Sequence, residues 1–141
     1  MEHSIREMTI DDYEQVYNIW KSTEGIDLDE SDTKEYLSKY FQRNPHLSYV
    51  AEVNGNIVGT LKGGQDGRRG YIYHLAVKEQ YRHQGIAQEL IQRCLEELKR
   101  QEIRKCNIYV LQSNTKAFIF WKKNGWKELE KSFSMLQKRL K

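Results

Sequence analysis

Tyr71-Ile72-Tyr73-His74-Leu75-Ala76-Val77-Lys78-Glu79-Gln80-Tyr81-Arg82-His83-Gln84-Gly85-Ile86-Ala87 joins a strand pattern to a helix pattern through a polar turn. Residues 71–77 form an apolar and aromatic run of the kind that makes a buried strand. A short polar loop follows, and a helix begins near Gln84 with Ile86, Leu90, Ile91, Cys94, Leu95 and Leu98 on one stripe. The first turn of such a helix has backbone N–H groups without intrahelical partners and the positive end of the helix dipole, which together bind anions. Gly85 and Ala87 keep side-chain bulk away, so a pyrophosphate can approach the backbone, and Arg82 adds a cationic fork. No Gly-Lys-Ser/Thr follows and Gly-x-Gly-x-x-Gly is absent, which argues against P-loop and dinucleotide folds.

Residues 5–8 read as a short first strand. Thr9 can cap a helix whose face is Tyr13, Val16, Tyr17 and Trp20. Ser31 can cap a second, with Tyr36, Leu37, Tyr40 and Phe41 in the same period. Residues 47–53 and 57–62 read as a hairpin around Asn54-Gly55, and Gly63, Gly64, Gly67 and Gly70 break the chain before the strand at 71–77. Past the long helix come a strand over 106–111, a helix over 114–124 and a closing strand over 126–140. The expected fold is α/β (α+β): a mixed, mostly antiparallel sheet of about six to seven strands, with about four helices on both faces. No repeat or linker divides the chain, so one domain, 1–141, is expected. The closing strand offers an edge for a homodimer.

Composition bounds the function. The 23 basic and 20 acidic residues leave a formal charge of +3, too balanced to argue for nucleic acid. Glu24, Asp27, Asp29, Glu30 and Asp32 form an acidic segment with no basic residue among them, suited to a cation. Cys94 and Cys106 lack CxxC spacing and read as core filler, so no metal is expected. There is no apolar signal region and no membrane span, which points to the cytoplasm.

Leu75-Ala76-Val77 followed by Arg82-x-x-Gly85-x-Ala87 resembles motif A of the GNAT superfamily of N-acetyltransferases. Asn114-x-x-Ala117-x-x-Phe120-Trp121-x-Lys123-x-Gly125-Trp126 is similar to its motif B, about thirty residues on. Residues 64–77 also resemble the bacterial YpeA-like branch. The resemblance implies acetyl-CoA as cosubstrate, with no metal, and a small amine, polyamine or peptide amine as acceptor. It implies that backbone groups of Leu75, Ala76 and Val77 hold the pantetheine arm. It implies that the N–H groups of His83, Gln84, Gly85, Ile86 and Ala87, beside Arg82, hold the pyrophosphate. Asn114, Trp121 and Lys123 would complete the cofactor side.

The catalytic half departs from the family. Strand alternation puts Tyr71, Tyr73, Leu75 and Val77 on one side and Ile72, His74 and Ala76 on the other. Relatives often carry Glu or His at the columns aligned with Tyr71 or Tyr73, and this chain has neither there. Tyr73, ordering a water, and His74 are the candidate bases. Trp121 stands where the family usually has a Tyr that reprotonates the leaving thiolate; indole N–H does not give up a proton in this range. Tyr109 is the fallback acid. On the acceptor side the candidates are Trp20, which in this fold borders the cleft, the acids Glu24, Asp27 and Glu30, and Tyr71. The departures leave a second reading open, a non-catalytic GNAT-fold module that binds an acyl-CoA or a partner protein.

Overall fold

A computed structural model describes residues 2–129 and 133–141. Five strands and four α-helices follow in the order β1 (Ser4–Glu7), α1 (Tyr13–Ser22), α2 (Lys34–Arg43), β2 (Tyr49–Val53), β3 (Asn56–Gln65), β4 (Gly70–Val77), α3 (Ile86–Arg100), β5 (Cys106–Asn107) and α4 (Thr115–Lys123). The sheet runs in sequence order, antiparallel from β1 to β4 and parallel between β4 and β5. Two compact units result, one running to Tyr109 and the other starting at Val110. No helix among the described residues is long and apolar enough to cross a membrane.

The elements form for local reasons. Thr9 and Asp12 close a capping box around a 3-10 turn, Ile10–Asp12, which leads into α1. Asn54 and Gly55 both take positive φ, as a two-residue hairpin turn demands. Thr33, not Ser31, caps α2, because Ser31 lies in a separate 3-10 turn, Glu30–Asp32, capped by Asp29. Helix α3 starts two residues later than expected, behind Gly85 at φ 83°.

In the first unit the sheet is covered on two faces. Val16, Ile19 and Trp20 of α1 and Leu37 of α2 pack with Met8, Val50, Ile57 and Ala76 in one core. On the other face Ile86, Leu90, Cys94 and Leu98 of α3 are buried. Strand β3 does not stop at Gly63 as expected but runs through it to Gln65. A Cβ at Gly63 would stand 2.3 Å from the Leu47 carbonyl oxygen and 2.7 Å from Cys94 Sγ, so glycine there admits α3 against the sheet.

Strand β5 is two residues long instead of the six expected over 106–111. The closing strand over 126–140 includes residues 130–132, which lie outside the described residues, and the others in that range form no strand. The sheet therefore has five strands among the described residues, and the homodimer edge expected on the sixth has no strand to carry it there.

Candidate active site

Strand β4 carries the site because it is irregular at its middle. Thr60 pairs with Ala76 and Lys62 with Tyr73, so one residue of β3, Leu61, faces two of β4, His74 and Leu75. His74 absorbs the extra residue with a φ of 50°, rare for a non-glycine. The bulge overturns the expected alternation. Tyr73 lies opposite Lys62 and Tyr71 opposite Gly64, on the face covered by α2. The His74 ring lies 4.8 Å from that of Trp20 of α1, tilted by 58° to it, and so stands on that same covered side, not the opposite one.

His74 is held at both ends. Trp20 Nε1 donates to Thr60 Oγ1 at 2.9 Å, and Thr60 Oγ1 donates to the His74 carbonyl at 2.8 Å. Its ring Nε2 meets Asp32 Oδ1 at 2.9 Å, and the Asp29 N–H donates to Asp32 Oδ2 at 3.1 Å. Lys62 Nζ is 4.0 Å from the same Oδ1 and 4.3 Å from the centroid of the Tyr40 ring. All three charged or titratable side chains are nearly buried, at 16% exposure for His74, 12% for Lys62 and 9% for Asp32.

Burial dominates the protonation of this cluster. It pushes the His74 imidazole below the ordinary histidine range; the Asp32 hydrogen bond opposes it and the Lys62 charge adds to it. It also pushes the Lys62 ammonium down, against the charges of Asp32 and Asp29. Tyr73 is pushed up by burial and by the neighbouring tyrosines Tyr109 and Tyr71, so it is no base at neutral pH. Tyr73, Tyr71 and Tyr109 stack in a nearly parallel row, 6.1 and 6.2 Å between neighbouring rings, with Tyr109 exposed and Tyr73 half-buried.

Beyond the bulge β4 is open on one side. β5 pairs only with Gly70 and Tyr71, so residues 72–77 have β3 along one edge and no strand along the other among the described residues. That edge leads through a 3-10 turn, Glu79–Tyr81, to the start of α3. There His83 and Gly85 both have positive φ, 65° and 83°, which turns successive N–H groups into a concave nest. The first bond of the α3 ladder is Glu89 N–H to Gly85 O, so the N–H groups of Ile86 and Ala87 point out of the helix end. Nothing lies within 4 Å of where a Gly85 Cβ would be, and Arg82 is braced by donating from Nε to the Val77 carbonyl at 2.8 Å. An extended chain with a phosphate end fits an open strand edge that runs into such a nest.

The other expected site residues divide clearly. Trp20 is fully buried, with no surface to offer an acceptor, and supports His74 from beneath. Glu24, Asp27 and Glu30 are exposed on the connection between α1 and α2; the acid brought onto His74 is Asp32. Asn114, Trp121 and Lys123 belong to the second unit. Asn114 caps α4 by accepting the Ala117 N–H at 3.1 Å, and Trp121 meets Trp126 edge to face at 4.9 Å. Asp32 and Lys62 were not legible as site residues. The one signal was the three-residue spacing of Asp29 and Asp32, which closes a reciprocal capping box and makes an ordered turn of what reads as a loop.

A family model described as the acetyltransferase (GNAT) family matches residues 13–126. An acetyltransferase of Sodalis glossinidius is 36% identical over 136 residues, spanning 96% of this chain and 94% of that protein. One from Photorhabdus laumondii is 33% identical over the same shares. Among solved structures, the PaiA N-acetyltransferase of Thermoplasma acidophilum in complex with coenzyme A superposes with a TM-score of 0.80, at 23% identity over 94% of each chain.

Proposed function

This chain belongs to the acetyltransferase (GNAT) family, and from that premise we propose that it transfers an acetyl group from acetyl-CoA to a primary amine in the cytoplasm. The observation that carries the cofactor half is the open edge of β4 running into the nest at residues 82–87. Leu75, Ala76 and Val77 offer backbone groups to the pantetheine arm as an added strand would use them. The N–H groups from His83 to Ala87 hold the pyrophosphate, with Arg82 beside them. Asn114, Trp121 and Lys123 are the further cofactor contacts that the family resemblance assigns.

Acetyl-CoA supplies a thioester carbonyl; the amine nitrogen bonds to it as the carbon–sulfur bond breaks and CoA leaves as thiolate. The amine must first be neutral. A lysine-like amine is about 0.04% neutral at pH 7, a cost of about 4.6 kcal/mol, whereas an α-amino group costs about 1–1.4 kcal/mol. His74 is the base we assign. Its Nε2 is committed to Asp32, its ring is pushed toward the neutral form, and its Nδ1 makes no hydrogen bond to another described residue. Tyr73 and Tyr71 order water and acceptor beside it, and the exposed acids Glu24, Asp27 and Glu30 attract a cation. Neither Trp121 nor Tyr109 is needed as an acid: a thiol with a pKa near 8.5 makes thiolate a tolerable leaving group that water can protonate.

The test is a thiol-release screen with acetyl-CoA over small amines, polyamines and peptides with free N-termini. CoA release that depends on one acceptor is the expected result. Binding without release for every amine would favour the second reading, a module that holds acyl-CoA without turnover, which Trp121 in place of the family tyrosine supports.

A further inference from the structure

We propose that Asp32 and Lys62 are paired positioning residues that act in opposite directions on His74, Asp32 fixing its tautomer and promoting its proton uptake and Lys62 opposing that uptake. The inference rests on the reading of His74 as the base, and it concerns two residues with no part in the cofactor half.

The geometry leaves little freedom. A carboxylate only accepts, so the bond between His74 Nε2 and Asp32 Oδ1 at 2.9 Å puts the ring hydrogen on Nε2 and the lone pair on Nδ1. Asp32 cannot swing away, because its Oδ2 takes the Asp29 N–H and its own carbonyl takes the Tyr13 hydroxyl at 2.9 Å. The His74 backbone is locked independently through Thr60 and Trp20. Lys62 reaches the same Oδ1 at 4.0 Å while its ammonium rests on the Tyr40 ring. One carboxylate oxygen thus faces both an imidazole and an ammonium.

Asp32 comes from the turn before α2 with Asp29 bonded behind it, and Lys62 from β3; α1 contributes Trp20, against the His74 ring, and Tyr13, whose hydroxyl donates to the Asp32 carbonyl. Of these, Asp32 favours the imidazolium and Lys62 disfavours it. A carboxylate alone would hold His74 protonated into the range where a base must be free. Burial is the largest effect against that pull and the ammonium beside it adds to burial, so the imidazole is pushed toward the neutral form with its lone pair oriented. When Nδ1 takes a proton from the acceptor amine, Asp32 stabilises the resulting imidazolium.

The experiment titrates His74 by NMR in the free protein, with its ring signals assigned by loss in His74→Gln, for the parent, Asp32→Asn and Lys62→Met. Asp32→Asn is expected to lower the His74 pKa by about one pH unit and to erase the preference for the Nε2–H tautomer seen in the ring nitrogen shifts. Lys62→Met is expected to raise that pKa by about one pH unit. Movement in the same direction, or no movement, overturns the proposal, because general loosening of the fold would shift both toward the ordinary value. Should Asp32→Asn not fold, Lys62→Met decides: a His74 pKa that stays or falls overturns it. The acidic limb of kcat/KM against pH, measured with the acceptor found by thiol release, should move with the NMR values. Opposed NMR shifts together with full activity of His74→Gln would remove the base assignment and leave the pairing standing, so the two failures are distinct.

Discussion

His74 Nε2 lies 2.9 Å from Asp32 Oδ1, although 42 residues separate them in the chain. The bulge in β4 and the capped turn before α2 each hold one partner, so neither strand periodicity nor loop composition alone reveals the pair. Around it the chain has arranged a neutralising ammonium, an aromatic floor and an open strand edge.

If phosphate sits at the first turn of α3 as proposed, Gly85→Glu should abolish acetyl-CoA binding in calorimetry, since it puts bulk and negative charge at the first-turn N–H groups. Gly85→Ala separates the causes. Its Cβ meets nothing within 4 Å, so only the φ of 83° is penalised, by about 1–2 kcal/mol of stability. Unchanged affinity in Gly85→Glu would show that phosphate binds elsewhere.

Gly63→Ala should lower the urea midpoint by the equivalent of about 3 kcal/mol, the upper range for overpacking. The new Cβ would press a backbone oxygen, that of Leu47, which cannot rotate aside as a side chain can. A midpoint within error of the parent would mean that α3 is not seated as closely as described.

Arg6 clamps Asp12 at 2.7 Å and Glu52 at 2.8 Å, joining β1, the turn before α1, and β2. Burial pushes the Asp12 carboxyl up, but the Arg6 bonds and the Thr9 N–H outweigh it and hold the group below its usual range. A lowered folded pKa gives stability that is present above the unfolded value near 3.9 and is lost as pH falls through the folded value. Asp12→Asn should therefore be less stable than the parent at pH 6, with the gap closing below about pH 4. Arg6→Ala should cost about 2 kcal/mol, short of the 3–5 kcal/mol for a fully buried pair because Arg6 is 38% exposed. Equal stabilities at pH 6 and pH 3 for Asp12→Asn relative to the parent would exclude this linkage.

The Tyr40 hydroxyl is buried and has no hydrogen-bond partner among the described residues, and burial holds its pKa well above the ordinary tyrosine value. An unpaired buried hydroxyl carries its desolvation cost with no return. Tyr40→Phe should leave stability unchanged or raise it by up to about 1 kcal/mol, while keeping the ring beneath Lys62. A fall in thermal midpoint would show that the hydroxyl has a partner.

The strand–turn–helix junction at residues 71–87, the stripe of α3 and the Asn54-Gly55 hairpin could all be read from residues a few positions apart. Each is governed by local rules: first-turn N–H groups, helix period and positive φ at a tight turn. The alternation of β4 looked equally local and was not. It holds from Tyr71 to Tyr73 and breaks at His74, because the pairing with β3 slips by one residue between Lys62 and Thr60.

What the chain determined on its own is the order of its elements through α4 and the strand–turn–helix junction at residues 71–87, since both follow from contacts within a turn or two. Which residues surround His74 depends on the fold. A bulge exists in the register between two strands, and the protonation of a buried imidazole depends on charges brought to it through space. Asp32 and Lys62 stand 30 positions apart and act on His74 through one oxygen atom, an arrangement that only the folded sheet and its covering helices create.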